Sequence, residues 1–250
     1  DLHRIRGSKY VQSKVSKSIY GGIRSHLRKG RRVLFAGTPC QVAGVRKYIG
    51  TNDSNLLACD LICHGVPSPR VLRAYLEHRG GKKKRPTSID FRNKNTGWKN
   101  SSIRLGFSDD TAEYSKLADD SYFQAFIRDL GLREACYRCA FASLCRAGDV
   151  TIGDYWGAQQ DNIDFDQDDR GTSVVLVNTQ TGRKAIEACR SQLFCAPAAL
   201  DCVLKGNPML EHPAARPPLR SSFYRDLAHM PFSKMIRKYR LVRPLWRQIG

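Results

Sequence analysis

A chain of 250 residues with 41% apolar and 9% aromatic content can build a sizeable core, which excludes wholesale disorder. Its 42 Lys and Arg against 23 Asp and Glu leave a formal charge of +19, which favours anionic partners: nucleic acid, phosphate-bearing cofactors, an acidic protein or a membrane surface. No apolar run approaches the roughly 20 residues of a transmembrane helix, no secretory signal pattern opens the chain, and nine scattered cysteines match a small disulfide scaffold poorly. The chain opens at Asp1 within charged sequence and is expected to be an N-terminally truncated piece of a longer, cytoplasmic protein with reduced thiols.

In chain order, Val33-Leu34-Phe35-Ala36 is a short apolar run that enters Gly37-Thr38-Pro39, the pattern of a buried strand running into a loop. Val42, Val45 and Ile49 then recur at helical spacing, with Gly50 as the stop. Asn55 to Ile62 predicts a second buried strand leading into Cys63-His64-Gly65, and Pro67 and Pro69 introduce a helix through Leu76. Strand, helix, strand, helix predicts a partly parallel sheet. Thr87 to Arg92 and Ser102 to Phe107 alternate as strands around a polar loop, and Asp119 or Asp120 caps a helix carrying Phe123, Phe126, Ile127 and Leu130 on one face. A cysteine-bearing loop, a strand at Val150-Thr151-Ile152, an acidic loop from Asp161 to Gly171, a strand from Ser173 to Asn178 and a helix from Thr181 to Cys189 follow. From Pro197 the chain is Pro-rich and basic. Phe232, Met235, Ile236, Tyr239 and Val242 form an apolar helix stripe, expected to pack against the domain, with membrane-surface or partner docking as the alternative.

The sharpest local feature is Cys136-Tyr-Arg-Cys139. Two thiolates three positions apart in a turn chelate one metal or bind a cluster, although redox pairs use the same spacing. A redox pair belongs at a helix start after a strand, whereas this pair follows a predicted helix, so ligation is favoured over a redox or packed pair. A four-iron cluster needs four cysteines. Cys40 and Cys63 complete the set because each follows a predicted buried strand, and loops at the carboxyl ends of neighbouring parallel strands converge. Cys59 reads as a core thiol, Cys145 as a reserve ligand, and Cys189, Cys195 and Cys202 as structural.

Several stretches together resemble the beta-subunit family of coenzyme F420 hydrogenases and dehydrogenases. They are Arg6-Gly-Ser-Lys-Tyr-Val-Gln-Ser13, Gly37-Thr-Pro-Cys-Gln-Val-Ala-Gly44, Asp60-Leu-Ile-Cys-His-Gly-Val-Pro-Ser68, Phe91-Arg-Asn-Lys-Asn-Thr-Gly-Trp98, and Cys136-x-x-Cys139 followed by Gly148-Asp-Val-Thr-Ile-Gly-Asp-Tyr-Trp-Gly157. Gly171-Thr-Ser-Val-Val-Leu-Val-Asn-Thr179 also fits, and the likeness is nearest to bacterial members associated with polysaccharide loci. The resemblance implies an iron–sulfur flavoprotein whose four-iron, four-sulfur (4Fe-4S) cluster and FAD relay electrons between a ferredoxin-like partner and a soluble carrier or substrate, with coenzyme F420 one candidate. Carried over residue by residue, its ligands are again Cys40, Cys63, Cys136 and Cys139. The ferredoxin-like segment that often precedes this region in the family is absent from the chain, and Cys145 departs from the pattern, so one ligand swap stays open.

An FAD pyrophosphate needs backbone N–H donors, small residues and a cation. Gly7, Ser8 and Lys9 offer one such loop, Gly37 and Thr38 another, and Arg92, Lys94 and Trp98 offer phosphate contacts and a stacking surface. The alternative for each is ordinary turn chemistry or a solvated loop, and no Gly-x-Gly-x-x-Gly fingerprint is present. Asp154 and Trp156 shape the cluster pocket or flavin edge, or else Asp154 caps a turn; His64 tunes a neighbouring ligand or lies at the surface.

Two rival readings come from other classes. Cys40 and Arg46 satisfy the Cys-x5-Arg spacing of a thiolate phosphatase, but the loop is poor in Gly and Ser, Pro39 stands where that motif has His, and Lys47 stands where it has Ser or Thr. Four cysteines can equally hold zinc in a basic, nucleic-acid-associated module, with Gly81-Lys-Lys-Lys-Arg85 as the phosphate footprint, yet no nucleic-acid fold is recognisable and nucleic acid is not the expected partner. Asp164-x-Asp-x-Asp168 fails as a calcium loop because Asp169 and Val175 replace the required Gly and Glu. The resulting expectation is an α/β protein with a mixed, partly parallel sheet and flanking helices over 1–196, followed by an irregular basic extension over 197–250 that ends in an amphipathic helix.

Overall fold

The computed structural model describes residues 7–50, 53–81, 84–158 and 168–242. In chain order these form α1 (Lys17–Arg28), β1 (Val33–Gly37), α2 (Pro39–Ile49), β2 (Leu56–Leu61), α3 (Pro69–Gly80), β3 (Pro86–Asn93), β4 (Ser102–Phe107), β5 (Ala112–Lys116) and α4 (Ser121–Ile127). Then come β6 (Val150–Asp154), β7 (Ser173–Val177), α5 (Gln180–Cys189), α6 (Leu200–Gly206), α7 (Arg220–His229) and α8 (Phe232–Lys238). The chain divides into two compact units. Unit 1 takes Asp1–Gln12, Gly65–Arg138 and Ala214–Gly250; unit 2 takes Ser13–His64 and Cys139–Pro213. This division follows contacts, whereas the one expected at 196/197 follows composition.

Unit 2 holds a four-stranded mixed sheet in the order β1-β2-β6-β7. β1, β2 and β6 run parallel and β7 antiparallel, so the expected partly parallel α/β sheet is present. The α2 crossover starts at Thr38, whose backbone N–H donates to Gln41 Oε1 at 3.0 Å, with Pro39 at the first helical position. It ends at Gly50, whose φ of 79° is the left-handed C-cap that glycine adopts without strain. Ile23, Leu27, Val45 and Leu56 pack α1, α2 and β2 together. Tyr155, Val174, Val203 and Leu210 form a second apolar cluster.

Unit 1 holds the separate antiparallel sheet β3-β4-β5. Phe91, Ile103, Leu105 and Phe107 from that sheet share one core with Val71 and Tyr75 of α3, Tyr122 and Ala125 of α4, Phe223 of α7, and Phe232 and Met235 of α8. The apolar stripe near the C-terminus is therefore core packing over most of its length, with Val242 left 38% exposed. Asp120 is the α4 cap. Its carboxylate accepts from the N–H groups of Tyr122 and Phe123 at 2.9 and 3.0 Å, and from the Tyr75 hydroxyl at 2.7 Å. The expected α4 face is shifted: Tyr122, Ala125 and Phe126 are buried, Ile127 is exposed, and Leu130 lies beyond the helix. Among the described residues no helix is long and apolar enough to cross a membrane.

Tyr239 closes this core and donates its hydroxyl to Asp226 at 2.7 Å. Burial, together with the Asp226 carboxylate, pushes its phenol up to about 12. Below about pH 10 both folded and unfolded states hold the proton, so the contribution of this bond is intact. As pH rises toward about 12 the unfolded chain loses its proton first, and stability falls. Urea midpoints measured on the alkaline side should therefore drop with pH, and drop less steeply in Tyr239→Phe.

Candidate functional site

Two of the four sequence-predicted ligands, Cys40 and Cys63, follow strands of the unit 2 sheet. Gly37 is in register with Asp60, and Asp60 with Thr151, so the carboxyl ends of β1, β2 and β6 form one edge. Cys40 sits in the first turn of α2, exposed, its sulfur 3.2 Å from the Thr38 hydroxyl. Cys63 lies two residues beyond β2 and is half-buried. This is the edge at which open α/β sheets place ligands.

A buried polar lattice ties β2 to the start of β6. Asp60, fully buried within an otherwise apolar strand, accepts from Thr151 Oγ1 at 2.6 Å, from the Gly148 N–H at 2.9 Å and from Arg146 Nη2 at 2.9 Å. Asn178 Nδ2 donates to Thr151 Oγ1 at 2.9 Å and to the Gly148 carbonyl at 3.0 Å. Asp149 forms a second node. It accepts from the Ala58 N–H at 2.8 Å and Thr179 Oγ1 at 2.6 Å, and forms an ion pair with Arg46 Nη2 at 2.8 Å. Arg46 Nε also donates to the Ala147 carbonyl at 2.7 Å. The residue that a phosphatase would need beside Cys40 is thus committed to Asp149, inside a helix. Neither carboxylate node appears among the sequence-predicted site residues. The one available signal was a charge inside the apolar run Leu56–Leu61, together with the Gly148-Asp149 pair opening the β6 motif.

Cys136 belongs to unit 1, in a short 3-10 turn over Glu134–Arg138. Its sulfur accepts from the Val66 N–H at 3.4 Å. The backbone beside it must be glycine: at Gly65, with φ of 138°, a Cβ would stand 2.7 Å from Leu132 Cδ1. The Arg133 N–H donates to the Val66 carbonyl at 3.0 Å and the Ser68 N–H to that of Gly131 at 2.9 Å, fastening the two segments. Arg220 secures the turn from α7, donating to the Tyr137 hydroxyl at 3.1 Å and to the Leu132 carbonyl at 3.0 Å, and pairing with Glu134 at 2.7 Å.

The chain leaves unit 2 after His64, re-enters it at Cys139, and thereby places Cys63, Cys136 and Cys139 within three residues of these passages. None of the nine cysteines, all among the described residues, is in a disulfide. Burial, then the neighbouring Asp60, raises the Cys59 thiol, which suits a core residue. Cys145, Cys189 and Cys195 are exposed and Cys202 is half-buried. Among the described residues no three His, Cys, Asp or Glu side chains are grouped as around a bound metal ion. Thiols are the donors that a soft metal or cluster takes, and Cys136 already receives the kind of N–H···S bond that tunes such centres.

The flavin candidates are distributed over both units. Gly7, Ser8 and Lys9 are in unit 1, where Gly7 takes φ of 89° and Lys9 donates to its carbonyl at 3.3 Å. Arg92, Lys94 and Trp98 are also in unit 1. The Arg92 side chain is largely buried, with its guanidinium 5.2 Å from the Trp98 ring centroid, a cation–π pairing. Gly37 and Thr38 are in unit 2, at the start of α2. Asp154 closes β6 opposite Ser173, and Trp156 is 44% exposed. Of the basic run, Lys82 and Lys83 lie outside the described residues, as do residues 161–167 of the acidic loop.

A partly parallel α/β sheet followed by cysteine-bearing segments and tied by a buried ionic lattice is the class of fold in hand. The chain belongs to the family described as the C terminus of the coenzyme F420 hydrogenase/dehydrogenase beta subunit, matched over residues 30–200. Membership places it among oxidoreductase subunits with a redox role. Of the solved structures, one from the F420-reducing NiFe hydrogenase complex of Methanosarcina barkeri is similar at 13% identity and a TM-score of 0.45, over 93% of this chain and 69% of that one. No curated protein matches the chain.

Proposed function

We infer that the chain is an iron–sulfur flavoprotein oxidoreductase that holds a 4Fe-4S cluster through Cys40, Cys63, Cys136 and Cys139, and FAD through backbone and cations drawn from Gly7, Ser8, Lys9, Gly37, Thr38, Arg92, Lys94 and Trp98. The observation that carries this reading is the family match over residues 30–200, which takes in all four cysteines. When bound, the cluster would supply one-electron steps and the flavin would couple them to two-electron, hydride-type chemistry. The chain's own residues set the frame. Val66 directs its N–H to the Cys136 sulfur, the Asp60–Arg146 lattice holds the end of β2 that leads into Cys63, and Asp149 pairs with Arg46 of the helix that carries Cys40. A formal charge of +19 favours an acidic, ferredoxin-like electron partner and an anionic soluble carrier, of which coenzyme F420 is one candidate. A cytoplasmic setting keeps such thiols reduced.

The test is anaerobic purification, with iron, acid-labile sulfide, zinc and flavin measured on one sample. The expected result is about four irons and four sulfides per chain, with bound flavin, the iron and sulfide being lost in Cys136→Ser and Cys139→Ser. Stoichiometric zinc without sulfide would shift the reading to the zinc module. Well-folded protein that takes up neither metal nor flavin on reconstitution would overturn it.

A further inference from the structure

Arg146 follows the exposed Cys145 in sequence, yet its side chain is only 1% exposed. A guanidinium carries five N–H donors and no acceptor, and all five donors of Arg146 are placed. Nε reaches Thr151 Oγ1 at 3.2 Å. Nη1 reaches the carbonyls of Phe141 and Ser143 at 3.3 and 3.2 Å. Nη2 reaches Asp60 Oδ1 at 2.9 Å and the Leu61 carbonyl at 2.8 Å. Leu61 ends β2 two residues before Cys63, while Phe141 and Ser143 lie two and four residues after Cys139. One planar group thus bonds the backbone on the approach to one cysteine and the backbone on the exit from another, and all of these residues belong to unit 2. Asp60 supplies the countercharge that makes burial of the cation tolerable. Lysine, with a compact ammonium and three donors, cannot bridge acceptors spread so widely along a plane.

We propose that Arg146 is a positioning residue that fixes the Cys63-bearing segment against the Cys139-bearing loop, and thereby sets how these two thiolates face the group they bind. The inference rests on the iron–sulfur reading for the identity of that group, and on the hydrogen bonds alone for the clamp itself.

The experiment compares the wild-type chain with Arg146→Lys and with the charge-neutral double variant Asp60→Asn/Arg146→Gln, which leaves no buried charge unpaired should the single variant fold poorly. After anaerobic reconstitution with iron and sulfide, folded variant protein should retain at least five-fold less cluster. The remainder should show a shifted electron paramagnetic resonance spectrum and a shifted midpoint potential. Folded variants with wild-type cluster content, spectrum and potential would overturn the proposal, since a purely structural role lowers melting temperature without touching those readouts. If wild type itself binds no iron, the iron–sulfur reading fails, and the clamp is judged on the metal-free proteins by site-resolved alkylation with iodoacetamide. About ten-fold faster labelling confined to Cys63 and Cys139 supports it. Unchanged rates, or equal acceleration at Cys40 and Cys189 in the same unit, would overturn it.

Discussion

Asp60→Ala is expected to cost about 3–5 kcal/mol, because it strands a buried guanidinium without its countercharge. The carboxylate is fully buried, and three donors from three residues converge on it: Arg146, Thr151 and the Gly148 backbone. Alanine would leave the Thr151 hydroxyl and the Gly148 N–H without this acceptor as well, and each lost partner carries its own desolvation penalty. Since a whole domain is stable by only about 5–15 kcal/mol, the variant should populate partly unfolded states at ambient temperature. Urea unfolding followed by Trp fluorescence measures this. Asp60→Asn, which keeps the shape and one acceptor oxygen, should lose less. A loss below about 1 kcal/mol for Asp60→Ala, the range of an exposed pair, would show that the lattice contributes little.

Gly182→Ala should destabilise, against the rule for helices. Replacing glycine by alanine inside a helix ordinarily gains about 0.5–1 kcal/mol. Gly182 lies in the first turn of α5, where Thr179 caps the helix by accepting the Gly182 N–H at 3.1 Å. A Cβ there would stand 2.1 Å from the Asp149 carbonyl oxygen and 2.8 Å from its carbon. Backbone cannot step aside as a flexible side chain can, so α5 must move away from the residue that anchors Arg46 and Thr179. Overpacking of this kind costs about 1–3 kcal/mol or more. Gly22→Ala in α1 is the matched control, because nothing lies within 4 Å of its Cβ position. Thermal melts of the two variants should move in opposite directions, and a stabilised Gly182→Ala would refute the close approach.

Elements bounded by strong punctuation were legible in the sequence. β1 ends at Gly37-Thr38-Pro39, β2 runs into Cys63-His64-Gly65, and Gly50 stops α2, so apolar pattern and turn chemistry agree at each boundary. α1 was not legible because Gly21 and Gly22 dilute its helical signal, and its place is set by Ile23 and Leu27 packing on Val45 and Leu56. β5 was missed because Ala112–Lys116 is a polar edge strand, held by backbone pairing to β4 rather than by an apolar face. In the candidate site, the Cys136-x-x-Cys139 spacing is local and readable, and Cys40 and Cys63 are readable from the strands before them. The ionic lattice was invisible for a different reason. Asp60 finds Arg146 across 86 positions and Arg46 finds Asp149 on a distant loop, and no local periodicity encodes such pairs.

The threading of the chain through its two units bears on how the molecule is made. A ribosome releases the two stretches of unit 2, 13–64 and 139–213, before the last stretch of unit 1, which begins at Ala214. Phe223, Phe232, Met235, Tyr239 and Leu241 therefore emerge after the sheet and helices whose apolar faces they cover. Throughout synthesis Phe91, Ile103 and Leu105 wait for partners more than 100 residues downstream. Such distant closure slows folding and leaves apolar surface open to aggregation. Unit 1 has thus coupled its own completion to the late emergence of its last stretch, so a nascent chain stalled or cleaved before Arg220 holds an uncovered core.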